Sequence, residues 1–161
     1  MLVSGGRPSI GIIGGGISGL AVAQRLEQHG FTDNVLYDTG ARGVGGRASS
    51  RLWEGGGGPL PVDHVAQFFT TANEAFRKVV DEWCEAGVVQ EWSSDVLGSI
   101  DLDAGGVFTS FEEAEKKDAA GGEAATPSPA RWIGTRAHGG IGGVALHMAR
   151  SLQHTGVQQG E

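Results

Sequence analysis

The stretch Ile10-Gly11-Ile12-Ile13-Gly14-Gly15-Gly16-Ile17-Ser18-Gly19-Leu20-Ala21-Val22-Ala23 decides how this chain folds. Its apolar run, Ile10 to Ile13, ends at a glycine cluster, which is the pattern of a short buried strand. From Ile17 to His29 the apolar residues Ile17, Leu20, Ala21, Ala23 and Leu26 recur at helical spacing, and Gly30 stops the helix. Asn34 to Asp38 returns to a buried-strand pattern through Val35, Leu36 and Tyr37. Strand, helix and strand within about 30 residues make a βαβ unit, with parallel strands and a right-handed crossover.

The turn Gly14-Gly15-Gly16-Ile17-Ser18-Gly19 has the G-x-G-x-x-G spacing, and each glycine has its own task. Gly14 permits the tight strand-to-helix turn, Gly16 lets a pyrophosphate approach the backbone, and Gly19 lets the helix press on the sheet. The helix N-terminus then offers unpaired N–H groups and partial positive charge to a diphosphate. Glycine makes up 29 of the 161 residues. At that density the bare pattern arises by chance about once in such a chain. What gives it weight is context, because it follows a strand and opens a helix. Asp38 adds to this: it ends the second strand, where an acid accepts hydrogen bonds from a ribose hydroxyl. A carboxylate there repels a 2′-phosphate, so FAD or NAD is favoured over NADP.

Outward from this unit, Thr39 to Pro61 reads as loop, including Gly55-Gly56-Gly57-Gly58-Pro59. Ala72 to Ala86 is the strongest helical pattern, carried by Ala72, Ala75, Phe76, Val79, Val80, Trp83 and Cys84 and ended by Gly87. Val88 to Phe111 reads as two or three short strands broken at Ser93-Ser94 and Gly105-Gly106. Between Glu112 and Ala130 the composition shifts to Glu, Lys, Ala, Gly and Pro, as in a mobile linker. Arg131 to Gly134 suits one more strand, and Gly142 to Leu152 a helix with Val144, Ala145, Met148 and Leu152 on one face. The expected divisions are 1–50 for the βαβ unit, 51–113 for a loop, helix and short strands, 114–130 for a disordered linker, and 131–161 for a strand and helix. The fold class is α/β: a Rossmann-like FAD/NAD(P)-binding βαβ domain, incomplete, with a small strand-rich insertion.

Composition narrows the function. Apolar residues at 39% and charged residues at 19% fit a folded globular chain. A net charge of −7 argues against nucleic acid as a partner and against adhesion to anionic membranes. No apolar run approaches the roughly 20 residues of a membrane span, and Met1 to Ser9 is too short and polar for a signal peptide, so a cytoplasmic product is expected. Cys84 is the single cysteine, which excludes an intrachain disulfide and disulfide-shuttling chemistry, and its helical stripe assigns it to core packing. His29, His64, His138, His147 and His154 are scattered, so no metal site is expected, and His64 reads as a polar loop residue. His138-Gly139-Gly140 matches an esterase oxyanion loop, but no Gly-x-Ser-x-Gly elbow accompanies it.

The segment Asp38-Thr39-Gly40-Ala41-Arg42-Gly43-Val44-Gly45-Gly46-Arg47 resembles the acid-x-x-x-Arg…Gly-Gly-Arg signature of FAD-containing amine oxidases. Val62-Asp63-His64-Val65-Ala66-Gln67-Phe68-Phe69-Thr70 is similar to the Asp-x-Gly-Ala-Gln-aromatic stretch of their renalase-like branch. Asp81-Glu82-Trp83, Gln90-Glu91-Trp92 and Arg131-Trp132-Ile133-Gly134 extend the likeness. The resemblance implies a non-covalent FAD, with Gly14, Gly16, Ser18 and Gly19 around its diphosphate and Asp38 on its adenosine ribose. It places Arg42 and Arg47 as bracing cations, Gly45 and Gly46 where the backbone passes the flavin, and Ala66 and Gln67 along the ring. This chain has one extra residue between Arg42 and Gly45, and Val65 stands where the family has glycine. Family members are longer, which marks the chain as an N-terminal piece. The implied activity is oxidation of an amine or a reduced nicotinamide-type small molecule, with hydride passing to the flavin and dioxygen as acceptor. No residue is assigned as catalytic. Two alternatives use the same turn: a non-catalytic nucleotide-binding fragment, and an NAD-dependent dehydrogenase.

Overall fold

The computed structural model describes residues 7–95, 97–121, 131–135 and 139–160. In chain order the elements begin with β1 (Ile10–Ile13), α1 (Ile17–Gln28), β2 (Asn34–Asp38), a 3-10 turn (Gly46–Ala48), β3 (Ser50–Gly55) and β4 (Gly58–Asp63). Next come β5 (Phe69–Thr70), α2 (Glu74–Glu85), β6 (Val89–Trp92), β7 (Gly98–Asp101), β8 (Val107–Ser110), α3 (Phe111–Gly121) and β9 (Trp132–Thr135). α4 (Gly142–Arg150) and β10 (Thr155–Gln159) complete the chain. The chain divides into two compact units, Met1–Gln67 with Ala137–Glu161, and Phe68–Arg136. This differs from the sequence divisions, because the 131–161 stretch is split and its helix returns to the N-terminal unit.

In the first unit β1, β2 and β10 form a parallel sheet in the order β1-β2-β10, with Ile12, Leu36 and Val157 in register across it. Ile12 and Leu36 are buried, together with Leu20 and Ala23 of α1 and Val144, Ala145 and Met148 of α4. Alternation along the strands explains the rest: Ile13 and Tyr37 point the other way and are 85% and 43% exposed. The expected burial of the first strand therefore holds on one face only. Glu27 of α1 accepts hydrogen bonds from Gln153 N (2.9 Å), His154 N (2.8 Å) and Thr155 Oγ1 (2.8 Å), which fixes where β10 begins. Burial pushes the Glu27 carboxyl up, but these bonds and the nearby His154 together hold it below the usual carboxylate range. Gln24 Nε2 donates to Ser151 Oγ (2.7 Å) and joins α1 to α4.

Two elements of this unit depart from the sequence reading. β3 and β4 form an antiparallel hairpin where a loop was expected, turning through Gly56-Gly57 with Gly58 at φ +104°. Pro59 and Pro61 obscure it, yet two residues apart they place both missing donors on one edge, leaving the other to pair. β10 was not expected either. Its sequence, Thr-Gly-Val-Gln-Gln, is polar and carries no apolar run; among the described residues it is an edge strand that pairs with β2.

The second unit holds an antiparallel sheet in the order β5-β9-β6 and the hairpin β7–β8, which turns through Gly105 and Gly106. Val80, Trp83, Val89 and Ile133 form its core. Asn73 caps α2, its Oδ1 accepting from Phe76 N (3.1 Å), and so starts the helix two residues after the expected Ala72. Arg131 donates to Asp81 and to Glu91 (Nε–Oε2 2.8 Å), and the two carboxylates, Asp81 first, raise its guanidinium well above the ordinary range. A Cβ on Gly134 would overlap the Trp92 indole. Cys84 is half-buried, and burial pushes its thiol up, as for an inert packing residue.

The compositional shift after Glu112 begins as helix, not linker. Ser110 and Glu113 make a reciprocal capping box, with Glu113 N donating to Ser110 Oγ (3.1 Å) and Ser110 N to Glu113 Oε2 (3.3 Å). An ion pair from Lys116 to Glu112, one turn apart, adds to it. Residues 122–130 of the expected linker lie outside the described residues. Among the described residues no helix is long and apolar enough to cross a membrane.

Candidate nucleotide-binding site

The glycine turn is built as its spacing requires. Gly14 leaves β1 at φ +102°, a conformation that side chains resist, and its N–H donates to the Tyr37 carbonyl (2.7 Å). Gly16 is the N-cap of α1: its carbonyl accepts from Leu20 N (3.0 Å). No side chain caps this helix and no acid occupies its first turn, so its positive end is not neutralised from within. A Cβ on Gly19 would collide with the Gly14 carbonyl, so α1 sits directly on the turn. At Gly16 the nearest atom to a Cβ is Gly45 O at 3.9 Å, and the chain itself does not need glycine there.

Asp38 points at this turn. A Cβ on Gly15 would overlap the Asp38 carboxylate, so Gly15, which the fingerprint leaves unspecified, must be glycine for Asp38 to rest against it. Asp38 Oδ1 accepts from Gly40 N (2.6 Å), which orients the side chain and leaves Oδ2 over Gly15. The carboxylate is half-buried.

The Gly45-Gly46 pair lies against the same turn. Gly45 N donates to the Gly15 carbonyl (2.8 Å), and Gly16 and Gly45 form a parallel bridge. Gly45 adopts φ +132° and Gly46 φ +56°, so the one extra residue before them is absorbed without strain on a side chain. Arg47 follows in the 3-10 turn, and its carbonyl accepts from Ala66 N (3.3 Å). That bond brings the expected flavin-lining segment beside the Gly-Gly-Arg stretch. Ser18, Arg42, Arg47 and Gln67 are exposed, with no hydrogen bonds of their side chains among the described residues.

A cavity of about 550 Å³ opens from Asp38 along residues 40–44 and Gly46. Arg42, Arg51 and His64 bring cationic or protonatable groups to its lining, while Leu52, Pro61 and Leu146 make it partly apolar. Asp38, Arg42 and Gly46 are the expected site residues that line it. Gly14, Gly16, Ser18, Gly19, Gly45, Arg47, Ala66 and Gln67 do not. His64, read from sequence as a plain loop residue, is on the cavity wall. Ser50 also lines it and had no sequence signal, because the hairpin that presents it was not foreseen.

These residues suit an adenine dinucleotide. An open glycine position at an uncapped helix start admits a phosphate, a carboxylate beside it admits a ribose diol, and two arginines supply countercharge. Residues 12–83 match the NAD(P)-binding Rossmann-like domain family. The chain thus contains a Rossmann-like α/β fold. Among solved structures, an Exiguobacterium sp. 255-15 protein provisionally assigned as a protoporphyrinogen oxidase is similar over 96% of this chain, at 12% identity and a TM-score of 0.53. This chain spans 52% of that protein's length. A CLA-producing fatty acid isomerase from P. acnes is 26% identical over 51% of this chain and 18% of its own, with a TM-score of 0.40.

Proposed function

We propose that this chain is the FAD-binding part of a flavoprotein oxidoreductase of the renalase-like type, holding its cofactor without a covalent bond. The observation that carries this reading is the meeting of three separate stretches: the glycine turn, Asp38 resting on Gly15, and Gly45-Gly46 bridged to Gly15 and Gly16. The α1 N-terminus and Gly16 would take the diphosphate, and Asp38 the adenosine ribose. Arg42, on the cavity wall, and Arg47, beside Ala66, would balance the phosphate charge. When bound, the flavin supplies hydride acceptance from an amine or reduced nicotinamide-type substrate and reoxidation by dioxygen. The chain's own part is binding and orientation.

Purified protein reconstituted with FAD tests this. Visible flavin absorbance near one cofactor per chain is expected, and Asp38→Arg is expected to release it, because the cation displaces the carboxylate that grips the ribose. Unchanged flavin occupancy in Asp38→Arg would count against the assignment. The match of residues 12–83 is compatible with one competitor, NAD. A thermal melt raised by NADH and not by FAD would establish that reading instead.

A further inference from the structure

We propose that Ser50 and Asp63 form a clamp that fixes the β3–α4 wall of the cavity, which makes Asp63 a positioning residue for the adenosine end of the ligand. The inference rests on the adenine-dinucleotide reading above.

Ser50 begins β3, Asp63 ends β4, and the two are paired in the hairpin register. Ser50 Oγ donates its one proton to Asp63 Oδ1 (2.5 Å) and accepts from Gly142 N (2.8 Å). The same Asp63 oxygen accepts from Ile141 N (2.8 Å). Two amides at the start of α4 are thus satisfied by the two ends of the hairpin, with a carboxylate at the helix's positive end. Gly140 enters the helix at φ +59°, where a Cβ would press into Ser50 Oγ and Asp63 Oδ1. The chain therefore seats on this pair with no room for a side chain.

The clamp is part of the cavity, and that is what separates it from an ordinary cap. Ser50, Gly139, Gly142 and Leu146 all line the cavity that Asp38 lines, and His64, next to Asp63, lines it too. Asp63 does not line it, so it acts through the residues it holds. Losing its acceptor would free Ile141 and let the α4 wall move relative to β3, and a ligand would then bear the ordering cost that the clamp has already met.

The test compares wild type, Asp63→Ala, Asp63→Asn and Ser50→Ala in two measurements. Amide hydrogen exchange at Ile141 and Gly142, without ligand, reads the clamp. Titration calorimetry with ADP and with FAD, well below the melting temperature, reads the cavity. Asp63→Ala is expected to speed exchange at both amides and weaken both ligands about tenfold. Asp63→Asn should recover most of the affinity, since its amide oxygen still accepts from Ser50 and Ile141. Ser50→Ala, which removes the Gly142 acceptor and the proton donated to Asp63 but leaves Asp63 Oδ1 to accept from Ile141, should fall between, and it decides the matter if Asp63→Ala does not fold. Faster exchange with wild-type affinity in the alanine variants would overturn the positioning role, and unchanged exchange would overturn the clamp. Wild-type protein that binds neither ADP nor FAD would instead sink the dinucleotide reading and the positioning role with it, while the exchange data still report whether the clamp exists.

Discussion

Alanine at Gly16 and alanine at Gly19 should fail in different ways, because the fold requires one glycine and not the other. At Gly19 a methyl group would enter the Gly14 carbonyl, which is backbone and cannot rotate aside. Overpacking against so rigid a neighbour costs up to about 3 kcal/mol. Alanine in the helix interior returns about 1 kcal/mol of propensity, leaving a net loss of about 2 kcal/mol. For a chain of this size that lowers the melting temperature by about 4–8 °C. At Gly16 the backbone is at φ −72°, open to any residue, and the nearest atom is 3.9 Å away. Alanine is a poorer N-cap than glycine, but it restricts the unfolded chain, so the two effects leave stability within about 1 kcal/mol of wild type. The added methyl instead occupies the space where a phosphate would approach, and overpacking of about 1–3 kcal/mol there is a loss of about 5- to 150-fold in affinity for ADP. Circular dichroism melts without ligand and ADP calorimetry separate the two. A Gly16→Ala protein that binds ADP like wild type would refute the placement of the phosphate, and a Gly19→Ala protein that melts like wild type would refute the packing of α1 on the turn.

The Glu27 contacts predict an acid-sensitive unit. Because its folded pKa is depressed, the stabilisation is present above the unfolded value and is lost as the pH falls through the lower folded one, below about pH 4.3. Glu27→Gln should therefore lower the melting temperature at neutral pH and flatten its decline in acid; an acid limb identical to wild type would show that the β10 contact does not titrate. In the second unit, Ser110→Ala removes the capping-box oxygen of α3 and should cost about 1 kcal/mol. Urea denaturation checks this, and no change in midpoint would mean that the helix does not depend on its box.

Where the chain's signals are local, the sequence was legible to the residue. β1 and β2 have the bounds that their apolar runs define, and α1 ends at Gln28, one residue short of the expected His29. The three short strands β6, β7 and β8 are separated from one another by the breaks at Ser93-Ser94 and Gly105-Gly106, where turn residues interrupt the chain. The Asp38 contact was legible for the same reason: the end of a parallel strand beside the first is adjacent to the turn by topology. β3, β4 and β10 were hidden because pairing, not composition, makes them strands. α3 was hidden because four residues, Ser110 to Glu113, start it against the compositional bias of the residues after them.

The wall of the cavity lay furthest from view, and its physics explains why. Asp63 reaches Ile141 across 78 residues, and Ser50 reaches Gly142 across 92. No periodicity or spacing encodes such a bond, because each residue by itself is an ordinary strand-end Ser or Asp. What the sequence does carry is the compensating glycine: Gly140 turns at φ +59°, and Ser50 and Asp63 occupy the space its side chain would fill. The same holds at Gly15 beneath Asp38 and at Gly134 beneath Trp92. These glycines mark close approach by a residue distant in the chain. Gly16 differs from them: its φ of −72° suits any residue and, among the described residues, the nearest atom to a Cβ is 3.9 Å away, which leaves the space that our proposal gives to a ligand phosphate.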